Sequence, residues 1–369
     1  MNNMKIVFKI YKEIHSLEKK VLPSVTVQSI VSSLKPFINI LFTSKIINLL
    51  SDGKDFKNIM LYIAIAVAIN FILFFLGSFL DEYSQNLRNL LLNKENKKVA
   101  SKLFGTEYQK LENSEYKELI HKHEEAEKSR WSRFPYFVWT TYRFLNGLFT
   151  LIISVIIIFP LLKVGFTRTG DTFFEKPIFL ITIISAILAM AVIILLVAVN
   201  INKSYLKANE SYAELDRIFY SLLDIFGDYR TGKEIRIYKE QDLIDSIATS
   251  KILIDGEKTL RKISMHTAKA SSFVAILGAV VGFGVYLFIG IKGLLGLFSI
   301  GSLVLYCGSF MQIINGIMMM ANTFGKLQEI IPLASCYFEI LDMKDDMEYG
   351  EKEIVLTDKF EIEFRNVSF

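Results

Sequence analysis

The chain has 369 residues, 52% of them hydrophobic, with 42 Lys and Arg against 38 Asp and Glu and a formal charge of +4. Basic and acidic residues are interleaved rather than gathered into an electropositive stripe, so nucleic-acid binding is not indicated. Two cysteines, Cys307 and Cys336, make no disulfide framework. A mean hydropathy of +0.37, with the apolar residues gathered into blocks, excludes an ordinary soluble domain.

Residues 1–20 carry five lysines and no continuous apolar core, which is not the pattern of a signal peptide. Val7, Ile10, Tyr11, Ile14 and Leu17 recur at helical spacing, which reads as a short helix on the membrane surface, the alternative being a disordered basic tail. Uncharged runs follow at 59–80, 144–162, 177–202, 270–291 and 293–325, and a sixth apolar stretch, Val21 to Leu50, is interrupted by Lys35 and Lys45. About 20 apolar residues cross ~30 Å of hydrocarbon as a helix, and a helix satisfies its own backbone there. The chain therefore reads as an all-α integral membrane protein with six transmembrane helices.

The connections alternate in length and charge. Lys and Arg number five in 1–20, eleven in 81–133, eleven in 202–264 and five in 321–369, against two, three and one in the short connections at 51–57, 163–176 and 292. The positive-inside rule places both termini and both long connections in the cytoplasm, as expected of a multi-pass plasma-membrane protein. Trp131, Tyr136, Trp139 and Tyr142 precede the third span as an interfacial aromatic belt. The two long connections lack proline and are rich in Lys, Glu, Leu and Ala, so the membrane helices are expected to continue past the bilayer, turn and return. In the first hairpin the turn falls at Asn113, Ser114, Glu115 and Tyr116, with Asn or Ser as a helix N-cap. In the second it falls among Tyr212, Asp216 and Phe219, with Gly227, Gly232 and Gly256 as candidate breaks.

Polar residues inside the spans are the candidate functional groups. Gly308, Gln312, Asn315, Met319 and Asn322 of the sixth span lie within ~80° of helical arc, and the adaptable Met suits a binding wall. The alternative is helix–helix hydrogen bonding by Gln312 and Asn315. Ser29, Ser32, Pro36, Asn39 and Thr43 form a similar face on the first span. Lys35, beside Pro36, needs water or a partner, or else snorkels to the interface. Ser271, Ala275, Gly278 and Gly282 form a small-residue stripe that reads as close packing on the fifth span. His121 and His123 point to different helical faces and make a poor metal pair.

Asp342 to Gly350 is acidic and turn-like, and 360–369 alternates apolar and polar residues as a strand does. One strand cannot fold alone, so it reads as the start of a further domain.

These features together resemble the transmembrane domain of a type IV ABC exporter. Ser299-Ile300-Gly301-Ser302-Leu303-Val304 is similar to the family's lead into the sixth helix, and Tyr337-Phe338-Glu339-Ile340-Leu341-Asp342 to the phrase that ends it. Gly232-Lys233-Glu234-Ile235-Arg236-Ile237-Tyr238 resembles the stretch after the second coupling helix. Phe364-Arg365-Asn366-Val367-Ser368-Phe369 resembles the first strand of the ATPase domain, whereas Cys336-Tyr337 stands where the family usually has a polar pair. The resemblance implies an elbow segment at 1–20, a six-helix domain at 21–341, a linker at 342–359 and the first ATPase strand at 360–369. It implies that the sixth helix lines the substrate pathway, with Ser29, Ser32 and Asn39 of the first span on the same side. It implies that the turns near Ser114 and Asp216 couple to an ATPase domain. The expected partners are membrane lipid, a second copy or a related half-transporter, and an ATPase domain in cis or in trans.

ATP and Mg are implied for that ATPase domain and none for this chain, which has no G-x-x-x-x-G-K-[ST] loop. On this reading the chain is a fragment or truncated product. The alternative is a complete membrane-embedded subunit or receptor-like module without its own motor. A secondary transporter would instead place acidic residues within the spans.

Overall fold

The computed structural model describes residues 3–114, 116–120, 123, 134–167, 181–182, 184–197, 199–201, 222–223, 225, 227–248, 251–294, 296, 299–343, 363 and 365. Among these the molecule is helical, with no strand. Of the expected strand at 360–369 only Glu363 and Arg365 are described, both outside regular structure, and the expected linker beyond Met343 also lies outside the described residues.

Among the described residues six helices are long and apolar enough to cross a membrane: span 1 (Val21–Ser51), span 2 (Phe56–Phe104), span 3 (Phe134–Pro160), span 4 (Ile184–Ile201), span 5 (Arg261–Leu294) and span 6 (Ile300–Phe324). This is an all-α, multi-pass membrane protein. The large apolar side chains on its outer face fit the membrane as solvent: Phe71, Phe74, Phe75 and Phe79 of span 2 are all exposed. In water such a face would mark an interaction surface, but hydrocarbon accepts it without cost.

Spans 1, 3 and 6 pack against one another, span 2 lies along span 1, and spans 4 and 5 reach span 6 through two smaller apolar clusters. Without a hydrophobic drive between helices in lipid, close packing decides which faces meet. Spans 3 and 6 cross at a glycine pair. A Cβ on Gly147 would stand 2.9 Å from the Gly316 carbonyl oxygen, and one on Gly316 equally close to the Gly147 carbonyl. Spans 1 and 6 meet where Gly301 lies against the Ser44 carbonyl and donates its N–H to Asn48 Oδ1 at 2.8 Å. The stripe expected on span 5 works only in part. Gly282 admits the Met311 methyl at 3.2 Å, whereas a Cβ on Gly278 would meet nothing, and Ser271 and Ala275 are exposed.

Two helices run well past the bilayer. Span 2 belongs to a 49-residue helix, about 74 Å at 1.5 Å per residue and more than twice the hydrocarbon thickness. Span 6 belongs to a 42-residue helix that ends at Leu341. The span 2 arm stops at Gly105, and a short helix, Tyr108–Glu112, follows. At Asn113 the backbone is extended (φ −63°, ψ 137°) and its carbonyl accepts from Lys117 N–H, the N-cap backbone position expected from the sequence. In the second connection the helix breaks at 228–230 and again at Lys239, whose φ of 54° is left-handed. Gly232 and Gly256 sit inside helices instead.

The amino-terminal helix, Asn3–Leu17, departs from the expected surface helix in one respect. Its apolar stripe faces protein rather than lipid. Ile10 and Ile14 are fully buried, with Val7, Tyr11 and Leu17 packed beside them, in a cluster with Leu91, Phe134, Phe137, Tyr337 and Ile340. Polar contacts fix its register there. Glu13 accepts hydrogen bonds from Lys98 and from the Tyr337 hydroxyl (2.9 Å), Lys94 pairs with Glu18 at 2.6 Å, and Lys9 with Asp342 at 3.0 Å. Burial pushes the Tyr337 phenol up, and the Glu13 carboxylate adds to the shift by favouring the protonated donor. The helix thus joins the arm of span 2 to the end of span 6. Periodicity shows that a helix has an apolar face but not which apolar surface covers it.

Candidate functional site

The polar stripe on span 6 opens into a cavity of about 270 Å³ between spans 1, 3 and 6. Span 6 contributes Gln312, Asn315, Met318, Met319 and Asn322, and span 1 contributes Ser32 and Pro36. Six residues singled out in the sequence thereby share one space. The helical arc explains it: positions at i, i+3, i+7 and i+10 from Gln312 stay on one face. Among the described residues the side-chain amides of Gln312, Asn315 and Asn322 bond to no other group, so helix–helix hydrogen bonding is not what they do here. An amide without a partner in an apolar span is costly unless water or a solute reaches it.

Span 3 supplies the third wall, with Arg143, Asn146 and Thr150. These side chains form a ladder: Thr150 Oγ1 donates to Asn146 Oδ1 at 3.3 Å, and Asn146 Nδ2 to the Tyr142 hydroxyl at 3.4 Å. Arg143 stacks on Trp139, its guanidinium carbon 5.0 Å from the ring centroid. Lys326, one turn beyond Asn322, lies 5.1 Å from the same ring and 5.3 Å from that of Tyr136. Trp139 and Tyr136 therefore have two cations against them, at the end of the cavity nearest the amino-terminal helix. Tyr136, Trp139 and Tyr142 of the expected belt pack into the buried cluster that also holds the amino-terminal helix, while Trp131 lies outside the described residues. None of the span 3 wall was foreseen. The signal was there, since Arg143, Asn146 and Thr150 are spaced i, i+3, i+7, but Arg143 stands just outside the uncharged run at 144–162.

The remaining predicted residues go elsewhere. Asn39 and Gly308, with Thr43, line a second cavity of about 550 Å³ together with Ile40, Tyr286, Ile289, Gly290, Leu303, Val304 and Cys307 of spans 1, 5 and 6. Gly308 also makes room for Ile40, whose side-chain atoms would lie 3.0 Å from a Cβ there. Ser29 lines neither cavity. It is fully buried, and its hydroxyl donates to the carbonyls of Val25 (2.7 Å) and Tyr142 (3.2 Å), so it ties span 1 to span 3. Lys35 turns away from both and settles against Gly77 of span 2, where any side chain would collide with its ammonium. It forms no ion pair among the described residues.

Of the turn residues in the first hairpin, Asn113 and Ser114 are exposed. Tyr116 instead packs inward against the cluster that holds the amino-terminal helix. Glu115, Tyr212, Asp216 and Phe219 lie outside the described residues, as does His121, while His123 is buried. In comparison with known proteins, the chain matches no protein-family model and no curated protein.

Proposed function

We propose that this chain is the membrane half of an ATP-driven exporter, with a substrate pathway between spans 1, 3 and 6. The observation that carries the reading is the cavity itself. Three otherwise apolar spans place amides, hydroxyls and an arginine around one space, with the span 6 amides left without partners among the described residues. Polar groups in a membrane bundle face a solute path or a partner. The long arm of span 2, with its exposed turn at Asn113 and Ser114, supports the second half of the reading. A rigid helix reaching tens of ångströms beyond the bilayer can pass a push at its tip to the spans that carry it. On this proposal the nucleotide chemistry belongs to an ATPase domain that the chain contacts through its hairpin turns, and ATP and Mg bind there. A second copy or a related half-transporter completes the pathway, the termini face the cytoplasm, and the plasma membrane is the site of action.

The test is alternating access. With Cys307 and Cys336 replaced by Ser, single cysteines are placed at Gln312 and Asn315 in the protein expressed in its host membrane. They are then labelled with an impermeant maleimide in vesicles of each orientation. Labelling from one side without nucleotide and from the other with ATP is expected. Labelling that nucleotide leaves unchanged overturns the motor and favours a membrane-embedded subunit or receptor-like module.

A further inference from the structure

We propose that the cavity between spans 1, 3 and 6 binds an amphipathic anion, holding its charged headgroup at Arg143 and its apolar body along Met318 and Met319. This names the substrate class of the site above and so rests on that reading for its transport role, although the binding itself does not need the motor.

The charges decide the sign of the ligand. Arg143 is the charged residue among those lining the cavity, and no carboxylate lines it. Among the described residues Arg143 has no acidic partner; its contact is the face of Trp139. An arginine at the edge of a span still needs water or a partner for its charge, and one aromatic face meets only part of that need. The remainder has to be met by water or by an anion, and guanidinium offers a planar fork that matches carboxylate or phosphate oxygens. Lys326, against the same indole, extends the positive field to the mouth. Asp81 of span 2 is engaged elsewhere, accepting from Gln28 at 2.8 Å. A cationic ligand would meet Arg143 with no carboxylate to offset it.

The shape decides the rest. Arg143 and Thr150 are seven residues apart on one helix, about 10 Å along its axis, so the cation sits at one end of a slot. The rest of the lining is uncharged, with Gln312 and the Met side chains offering hydrogen bonds and an adaptable apolar wall, Met319 standing against Gly147 between Arg143 and Thr150. The volume, about 270 Å³, lies just below the usual range of ligand sites, room for a headgroup and the first part of an apolar body.

The experiment uses the purified chain in detergent without nucleotide. Diazirine-bearing palmitic acid is compared with the matched alcohol and the matched primary amine, and cross-linked peptides are mapped by mass spectrometry. The acid is expected to label the Met318–Met319 stretch, with the alcohol and amine about tenfold weaker, the factor carried by one charge-assisted hydrogen bond. Arg143→Gln is expected to remove that preference and Arg143→Lys to retain most of it. A photoactivatable lysophosphatidate arm and competition by inorganic phosphate separate a lipid source from a free anion: the lipid competes and labels, phosphate alone only competes. Equal labelling by acid, alcohol and amine in the unaltered chain overturns the proposal, and that comparison holds even if Arg143→Gln fails to fold. Nucleotide plays no part in this readout. Labelling with no ATP-driven switch at Gln312 would sink the exporter while leaving the anion site, and a switch without acid preference would do the reverse.

Discussion

The two cavities along spans 1 and 6 are neighbours with opposite chemistry. The one toward the amino-terminal helix is smaller and is lined by Arg143 and by amides and hydroxyls from three spans. The one beyond it is about twice as large and mostly apolar, with Asn39 and Thr43 as the polar exceptions on span 1. The same two helices line both, so helix identity does not set the character. The third wall does. Span 3 brings Arg143, Asn146 and Thr150 to the first cavity, and span 5 brings Ile289, Gly290 and Tyr286 to the second. A cavity that costs unpartnered amides persists because something polar fills it, whereas an apolar one costs only lost packing.

The hardest blow to this contrast comes at the crossing that positions the polar wall. Gly316→Leu drives a side chain into the Gly147 carbonyl and Leu151, and backbone clashes of this kind cost at least the ~1–3 kcal/mol of ordinary overpacking. Loss of the monodisperse peak on size-exclusion chromatography is expected. Retention of that peak would show that spans 3 and 6 do not cross there.

Next in size, Gly308→Val forces Ile40 out of its place beside the apolar cavity. A destabilisation of about 1–3 kcal/mol should appear as a lowered melting temperature, with anion labelling at Met318–Met319 unchanged. If labelling falls in step with stability, the two cavities are one.

The polar cavity should answer in the opposite sense. Gln312→Leu and Asn315→Leu remove amides that have no partner among the described residues. Gln312→Leu, at the half-buried position, should raise stability by roughly 1 kcal/mol, the order of the desolvation cost removed, and Asn315→Leu, at the exposed one, by less, while each abolishes ATP-dependent labelling of a cysteine at the other position. A fall in stability would mean that these amides hold the bundle together.

The smallest effect lies at the clamp on the amino-terminal helix, remote from both cavities. The Lys94 ammonium holds the Glu18 carboxyl below its usual range. A depressed carboxyl stabilises the fold above its unfolded value, near pH ~4.3, and that contribution is lost as pH falls through the folded value. Lys94→Gln should therefore lower the neutral plateau of a melting-temperature profile by a small amount, because Lys94 is 40% exposed, and leave the acid end unchanged, so that the acid limb flattens. An unchanged acid limb would show that the pair adds nothing.

Much of this was legible along the chain because crossing a bilayer is a local requirement. A helix needs about 20 apolar residues and internal hydrogen bonds, and the runs at 59–80, 144–162, 177–202, 270–291 and 293–325 meet it with no reference to neighbours. The span 6 stripe was legible for the same reason, since spacing alone puts Gln312, Asn315, Met319 and Asn322 on one side of a cylinder. What spacing leaves open is the helix on the far side. Ser29 and Ser32 are one turn apart on span 1, yet Ser29 bonds the Tyr142 carbonyl and Ser32 lines the cavity. Ile10 and Ile14 read as lipid-facing until Leu91 and Tyr337 covered them. Arg143 stands at the edge of an uncharged run in the sequence, and only the packing of spans 1, 3 and 6 brings it to the cavity. Composition and period determined which segments enter the membrane and which face of each is polar. Tertiary packing decided which faces meet, because close approach in lipid depends on where two glycines such as Gly147 and Gly316 coincide, and that coincidence belongs to the pair rather than to either helix.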